Sequence, residues 1–466
     1  MKGRPGPLLV RGTLVDAPHD PFTTGAPLRV EDDGGLLVVD GRIADRGAIA
    51  DVRRRARDAG TAATELDLRG GLVVPGFVDT HVHLPQVRVI GGLGLSLLDW
   101  LTDWALPEEA RLAEPSYAAG VATDFVHGLV EAGTTTALVF GSHFAPAVDL
   151  LLQEAERVGL RTTAGLVVAD RVLRPELLTT PERAHAESVD LSSRWHDRGL
   201  ARYAVTPRFS LSSSPELLDA CADVLRDVPG TLMTSHVNEN PREIEQVAAA
   251  FPQARDYVDT YDRAGLLGPG TVLAHDVHPT DAGLAAMAAA GSAVAHCPTS
   301  NAALGSGLFP LRPHVEHGVR VALGSDVGGG TGFSLLKEAL QAQFTQSLLG
   351  PDGLPLEPAH LLWLATRAGA LALGLGDETG DLSVGRSFDA VHLRPRAGTT
   401  TATVVEHAPD AVAAWRALVA LGTTSDVAGV WVRGRRLDGD DDVRHDHLGD
   451  DSGQDDEARR ARRPVG

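Results

Sequence analysis

The sequence lacks the features that mark secreted, disulfide-stapled and membrane proteins. Only two cysteines, Cys221 and Cys297, occur among its 466 residues, which excludes a disulfide framework and a four-cysteine zinc site. No apolar run approaches the roughly 20 residues that span a bilayer. Residues 1–9 contain no apolar segment followed by a small-residue cleavage site. We therefore expect a protein that stays in the reducing cytoplasm.

Positive charge is also scarce. Lys and Arg number 42 against 62 Asp and Glu, which gives a formal net charge of −20. Binding to a phosphate backbone requires clustered basic side chains, so nucleic acid is not an expected partner and a small neutral or cationic ligand is favoured. Part of the negative charge lies in residues 438–466, a low-complexity segment that cannot bury apolar surface. We predict that this segment is an acidic disordered tail.

The rest of the chain shows two kinds of pattern. Alternating apolar residues separated by Asp-Gly and Gly-Gly turn signals occur in residues 1–70. A similar pattern occurs in residues 377–437, and both are typical of short strands. Between them, residues 71–376 alternate apolar runs with segments of helical period, which is typical of βαβ units and a parallel sheet. We predict an α/β protein with a central barrel and a small β-sandwich domain formed by both chain ends.

Eight apolar runs can be counted in the central region, each followed by a segment able to form a helix or helical turn. They are LVVPGFVDTHVH, TTTALVFG, TTAGLVVA, ARYAVTPRF, TLMTSHVNE, TVLAHDV, SAVAHCP and VRVALGSD. Eight parallel strands favour a closed (β/α)₈ TIM-like barrel, which needs about 250 residues or more. An open dinucleotide-binding sheet is disfavoured because no GxGxxG motif follows the first run.

Histidine and aspartate side chains lie where four of these strands are predicted to end. His81 and His83 are two residues apart on one strand and can point to the same side. His236, His275 and Asp326 follow at the ends of the fifth, sixth and eighth strands. Barrel active sites are built at the carboxyl ends of the strands, so these five side chains are predicted to form a metal site. Nitrogen-rich ligation with one carboxylate favours Zn²⁺ or Fe²⁺ over Mg²⁺ or Ca²⁺.

The same residues carry a resemblance to a known family. PGFVDTHVH, the strand-end His236 and His275, and the GSD of the eighth strand resemble the amidohydrolase superfamily. Within it, the motifs DTHVHLPQ, LLDWLTDWALPEEARL, VTPRFSLS, SHVNENPREIEQV, AHCPTSN and LGSDVGGGTGFSLL are similar to those of the guanine deaminase family. The resemblance spans roughly residues 70–390 and implies hydrolysis of guanine to xanthine and ammonia, a step of purine catabolism. It also implies a homodimer. The resemblance further implies a single metal ion, because strand four lacks the lysine that bridges two metals.

Two acidic residues are predicted to carry the proton transfers. A divalent ion makes hydroxide available from a bound water at neutral pH, and Asp326, as a ligand or close neighbour of the ion, is placed to accept the water's proton. Glu239 lies three residues beyond His236. The resemblance implies that Glu239 delivers a proton to a purine ring nitrogen and helps ammonia to leave. The simpler alternatives are a turn aspartate and a solvated glutamate.

Five further residues are predicted to contact the substrate. The planar fork of Arg208 matches the O6 and N7 acceptors of guanine, whereas adenine presents an amino donor in place of O6. Phe209 is positioned to stack on the ring or, alternatively, to pack in the barrel core. The resemblance places Gln86 in the pocket, and Leu98 and Trp100 are predicted to form an apolar lid that excludes water.

Other functions stay open at the level of sequence. One alternative is deamination of another amino-heterocycle, such as 8-oxoguanine, an adenosine derivative or a triazine, on the same barrel. Another is a catalytically inactive purine-binding barrel, which is disfavoured because every expected ligand position is filled. The run VTPRFS favours guanine. The sequence leaves His296 open as either a pocket residue or a packed histidine.

Overall fold

The computed structural model describes residues 6–437, so the predicted tail at residues 438–466 lies outside the described residues. The strands, in chain order, are β1 (Leu8–Asp16), β2 (Arg29–Val39), β3 (Arg42–Ala48), β4 (Thr64–Pro75), β5 (Phe77–His83), β6 (Thr134–Ser142), β7 (Arg161–Val168), β8 (Ala201–Pro207), β9 (Leu232–Val237), β10 (Thr271–His275), β11 (Ala293–His296), β12 (Arg320–Leu323), β13 (Ala390–Leu393), β14 (Val427–Val432) and β15 (Arg435–Arg436).

The α-helices are α1 (Pro21–Thr24), α2 (Ile49–Asp58), α3 (Leu97–Trp100), α4 (Leu106–Arg111), α5 (Pro115–Glu131), α6 (Ala145–Val158), α7 (Pro181–Trp195), α8 (Pro215–Asp227), α9 (Pro241–Ala250), α10 (Tyr257–Arg263), α11 (Asp281–Ala290), α12 (Pro298–Ala303), α13 (Leu311–His317), α14 (Leu335–Leu348), α15 (Pro358–Ala365), α16 (Arg367–Ala372), α17 (Thr400–Glu406) and α18 (Ala411–Leu421). A π-helical turn covers Leu101–Ala105, and 3₁₀ turns cover Leu84–Val89, Pro175–Leu177, Ser210–Ser212, Gly350–Asp352 and Thr424–Asp426. Within residues 6–437, no helix combines the length and apolar character needed to cross a membrane.

Strands β5 to β12 form one sheet in sequence order, and all their paired neighbours are parallel. The first and last strands meet, because the Thr80 hydroxyl donates to the Leu323 carbonyl at 2.8 Å and the Asp326 N–H donates to the His81 carbonyl at 2.8 Å. Most of these strands are buried along their whole length, as expected when helices cover a parallel sheet. The predicted (β/α)₈ barrel is confirmed.

The second sheet combines both ends of the described chain, in the order β15-β14-β13-β4-β1-β2-β3. The edge strand β3 and the turn before it meet the segment that precedes β13, because the Ile43 N–H donates to the Arg386 carbonyl at 2.8 Å and the Phe388 N–H donates to the Gly41 carbonyl at 2.9 Å. Leu36, Ile43, Phe388 and Trp431 are among the side chains of the core that it encloses. Residues from both ends of the described chain therefore share one sheet and one core in the small domain that the sequence predicts.

The junction between the two sheets differs from the prediction. The run LVVPGFVDTHVH was expected to form one barrel strand, but its first four residues end β4 and only Phe77–His83 forms β5. Gly76 separates the two strands, and a Cβ there would lie 2.0 Å from the Thr135 hydroxyl oxygen. Strand β4 of the second sheet consequently runs to Pro75.

Candidate active site

The carboxyl ends of the barrel strands surround a cavity. Four side chains at this end converge, since one ligand atom from each lies within 4.8 Å of the others: His81, His83, His236 and Asp326. All four residues are buried. They come from three separated parts of the chain, which only barrel closure brings together.

The distances within this cluster are short. The Nε2 atoms of His81 and His83 are 3.1 Å apart, and the Nε2 atoms of His83 and His236 are 3.2 Å apart. Asp326 Oδ1 lies 3.3 Å from His81 Nε2 and 3.2 Å from His83 Nε2. Three ring nitrogens and a carboxylate thus face one another at a spacing suited to a shared cation.

Hydrogen bonds donated by Nδ1 leave Nε2 of two histidine rings, His236 and His275, as the nitrogen that can bind a metal ion. The Nδ1–H of His236 donates to the Arg208 carbonyl at 2.6 Å, which leaves Nε2 as the lone-pair nitrogen. The Nδ1–H of His275 donates to Asn301 Oδ1 at 3.0 Å. Burial lowers the pKa of His81 to about 3, so this ring is neutral at physiological pH. The donor set therefore fits one divalent metal ion.

His275 lies at the edge of the four-residue group. Its Nε2 is 3.8 Å from Asp326 Oδ2 and finds no hydrogen-bond partner in the described part of the chain. The backbone of His275 has φ +78° and that of Asp326 has φ +47°, a left-handed conformation that non-glycine residues rarely adopt. Such strain persists where surrounding structure holds it, often at functional sites.

Glu239 also faces the cavity. It is 3% exposed, and its Oε2 lies 3.5 Å from His275 Nε2. Its backbone N–H donates to Glu243 Oε2 at 3.2 Å, which holds the strand end against the start of α9. Burial, reinforced by the charge of Asp326, raises the pKa of Glu239 well above its ordinary value. This glutamate is therefore not a solvated surface residue.

Gln86, Arg208 and Phe209 line the same cavity. Arg208 Nη2 and Gln86 Nε2 each donate to Glu109 Oε1 at 2.8 Å. Arg208 is 3% exposed and Glu109 is equally buried. The cavity wall next to the histidine cluster thus presents polar groups that a buried carboxylate holds in place.

The apolar part of the cavity differs from the prediction at one position. Leu97, Trp100 and Leu101 line it, whereas the predicted Leu98 does not. Residues 97 and 101 are four apart and residues 97 and 100 are three apart, so they share one helix face, from which residue 98 is rotated by roughly 100°. Leu98 instead packs against the main core as a half-buried residue.

Several residues near the cavity were not singled out from the sequence. Glu109 is one, although its neighbour Glu108 has the same local context and bonds instead to Arg111 and Tyr117. Asn301 and Leu304 are others, and nothing in their local pattern distinguishes them. The open question about His296 is answered by its position. It does not line the cavity, and its ring stacks on Phe309 with centroids 4.1 Å apart.

The amidohydrolase family profile matches residues 72–437, and the chain belongs to this family. More narrowly, it is 58% identical over 427 residues to the probable guanine deaminase of Deinococcus radiodurans, covering 91% of this chain and 97% of that relative. The solved E. coli guanine deaminase superposes with a TM-score of 0.88 at 34% identity, covering 92% of this chain and 98% of the other. The guanine deaminase of Bradyrhizobium japonicum gives a TM-score of 0.87 at 33% identity, covering 93% and 99%. The predicted resemblance is confirmed.

Proposed function

We propose that this protein is a guanine deaminase, which hydrolyses guanine to xanthine and ammonia. The observation that carries the proposal is one cavity lined by three kinds of group. These are a histidine and aspartate cluster that fits a metal ion, the buried acid Glu239, and two residues that can form hydrogen bonds with a ligand, Gln86 and Arg208. The similarity to guanine deaminases over more than nine-tenths of the chain supports the same reaction.

His81, His83, His236, His275 and Asp326 would hold the metal ion. When bound, a divalent ion supplies Lewis acidity and an activated water at neutral pH. We propose Zn²⁺ because four imidazoles and one carboxylate form a nitrogen-rich set, which Fe²⁺ also accepts. Elemental analysis of the protein purified without added metal distinguishes the two.

The protein's own acids then move protons. Asp326 takes the proton released by the attacking water, and Glu239 gives a proton to the ring nitrogen next to the carbon that bears the amino group. Both carboxylates lie close to His275 Nε2, at 3.8 Å for Asp326 and 3.5 Å for Glu239. A carboxyl with a raised pKa can hold a proton near neutral pH and release it within the cavity. After this transfer Glu239 is suited to take back the proton of the newly added hydroxyl group as the carbonyl forms, while Asp326 returns the water's proton to the amino group, which leaves as ammonia.

Recognition depends on the polar and aromatic side chains that line the cavity. Arg208 offers planar donors that match O6 and N7 of guanine, and an adenine ring would place an amino donor against them. A buried donor left unpaired in this way can discriminate by about 10⁴–10⁵. Phe209 supplies a ring for stacking, and the apolar lining residues Leu97, Trp100 and Leu101 exclude water.

We also propose that the protein acts as a homodimer in the cytoplasm. Both proposals rest on its resemblance to the guanine deaminase family, and the scarcity of cysteine agrees with a reducing compartment. Light scattering on the purified protein measures the mass, and cell fractionation with an activity assay measures the location.

The test of the proposed reaction is ammonia release from metal-analysed protein. Guanine, 8-oxoguanine, adenine, adenosine and cytosine are offered separately, each with a chelated control. We expect release from guanine that is lost on chelation and restored by Zn²⁺. Ammonia release from another ring but not from guanine would refute the proposed substrate. Purine binding without ammonia release would indicate an inactive barrel.

A further inference from the structure

Glu109 lies immediately behind the cavity wall and does not line the cavity itself. Its Oε1 accepts from Gln86 Nε2 and from Arg208 Nη2, each at 2.8 Å. Its Oε2 lies 3.3 Å from His143 Nε2. The three partners follow β5, β8 and β6, so one buried carboxylate from α4 connects the ends of three barrel strands.

The contact with Glu109 fixes the orientation of the Gln86 side-chain amide. A carboxylate accepts hydrogen bonds and cannot donate, so the NH₂ group of Gln86 must face Glu109. The amide oxygen of Gln86 is then left as an acceptor for ring N–H groups. An amide in place of Glu109 could donate as well as accept, and it would allow Gln86 to flip.

The contact with Arg208 sets the charge of the wall. Burial by itself raises the pKa of Glu109, but the charge of Arg208 and the contacts with His143 and Gln86 outweigh it and hold the pKa at about 2. The carboxylate is therefore ionised and compensates the buried guanidinium. Arg208 Nε has no hydrogen-bond partner within residues 6–437, and Arg208 lines the cavity.

We propose that Glu109 is a positioning and specificity residue that orders the donors and acceptors of Gln86 and Arg208 and keeps the cavity selective for a neutral purine. Without its charge, Arg208 becomes an uncompensated buried cation, which favours an anionic ligand over neutral guanine. The reaction product xanthine is more acidic than guanine and supplies such an anion. The inference rests on the proposed function, since it concerns how the same site chooses its substrate.

The test compares Glu109→Gln with Glu108→Gln in the metal-loaded enzyme. Glu108 is a matched control because it is a buried carboxylate on the same helix, bonded to Arg111 and Tyr117 and not to the cavity wall. In Glu109→Gln we expect the KM for guanine to rise about 30-fold or more, by loss of a buried charged hydrogen bond, with a smaller change in kcat and unchanged metal content. Inhibition by xanthine should strengthen relative to wild type, and more so as pH rises. In Glu108→Gln, KM and xanthine inhibition should stay within about 2-fold of wild type, as for a residue outside the site.

Two further variants keep the inference testable if Glu109→Gln folds poorly. Glu109→Asp keeps the negative charge on a side chain that is one methylene shorter. For this variant we expect a KM for guanine between those of wild type and Glu109→Gln, and xanthine inhibition no stronger than in wild type. In an Arg208→Met background, Glu109→Gln should add little to the loss of kcat/KM, because the two residues act as a unit.

The outcomes separate the two proposals. A wild type that does not deaminate guanine refutes the proposed function and this inference together. A wild type that deaminates guanine, with Glu109→Gln matching it in KM and xanthine inhibition, overturns only the role of Glu109. Equal changes in Glu109→Gln and Glu108→Gln also overturn it, because they would show a general effect on α4.

Discussion

Glu239 and Glu109 are both buried carboxylates at the mouth of the barrel, yet their surroundings drive their ionisation in opposite directions. Burial raises the pKa of both side chains. Near Glu239 the charge of Asp326 adds to this effect, whereas near Glu109 the cation of Arg208 reverses it. One acid is therefore suited to carrying a proton and the other to holding a permanent negative charge.

The role of Glu239 leads to a prediction at the scale of one residue. Glu239→Gln removes the titrating oxygen but leaves the histidine cluster intact, so kcat for guanine should fall by about 10²-fold or more while bound metal is unchanged. Steady-state kinetics and metal analysis of the same preparation measure both. The control is Glu245→Gln, an exposed position on helix α9, which begins two residues after Glu239; this variant should retain wild-type kcat. Near-wild-type turnover in Glu239→Gln would remove its role in proton transfer.

At the scale of elements, α12 and α14 are joined by a buried acid beneath the site. Glu338 of α14 accepts from the Thr299 backbone N–H at 2.9 Å and from its hydroxyl at 2.7 Å. Asn301, on the same short helix as Thr299, holds the ring of His275. Burial raises the pKa of Glu338 from its ordinary 4.5 to about 8, with Asp79 and Asp326 adding to the shift.

This raised pKa predicts how stability depends on pH. The native protein binds an extra proton between about pH 4.5 and pH 8, so the contribution of Glu338 to stability is complete below pH 4.5 and is lost as pH rises through 8. Each pKa unit between the two states corresponds to about 1.4 kcal/mol. Glu338→Gln cannot ionise, so its free energy of unfolding relative to wild type should rise by several kcal/mol from pH 5 to pH 8.5.

Urea unfolding at several pH values measures this difference. The exposed Glu316→Gln serves as the control because it removes a carboxylate without changing the buried contact. Parallel pH dependence in wild type and Glu338→Gln would contradict the prediction.

At the scale of the whole molecule, a buried ion pair joins the barrel to the small domain. Arg161, at the start of β7, donates from Nη2 to Asp389 Oδ2 at 3.0 Å. Asp389 also accepts from the Ser387 hydroxyl at 2.5 Å and from the Arg433 N–H at 2.8 Å. These bonds lie at the amino end of the barrel strand, away from the metal-binding end.

Breaking this pair should destabilise the protein without altering the active site. Arg161→Met leaves Asp389 as an unpaired buried charge, and we expect it to cost about 3–5 kcal/mol of unfolding free energy with the KM for guanine unchanged. Adding Asp389→Asn should restore a large part of that loss. As a control, Arg53→Met breaks an exposed pair with Glu65, which should cost about 1 kcal/mol or less. A loss in Arg161→Met as small as that in the control would refute the role of this pair.

The sequence alone predicted the eight strands and placed His81, His83, His236, His275 and Asp326 at their ends. It could do so because an apolar run and the polar residue that ends it are local features, and a parallel barrel brings all such ends to one face. The pairing of both chain ends into one β-domain was also predicted from local alternation. The structure confirms both parts of this architecture.

Tertiary structure decides between residues that have the same local sequence pattern. Glu108 and Glu109 are adjacent acids on one helix. Only packing of this helix against the segment after β5 places Glu109 beside Gln86 and Arg208. Leu97 rather than Leu98 lines the cavity because of how the helix is rotated against the barrel. Ionisation likewise follows from burial and neighbouring charge, which depend on distances between residues far apart in sequence. The sequence thus determined which residues are available to the site, and the fold determined which of them line the cavity.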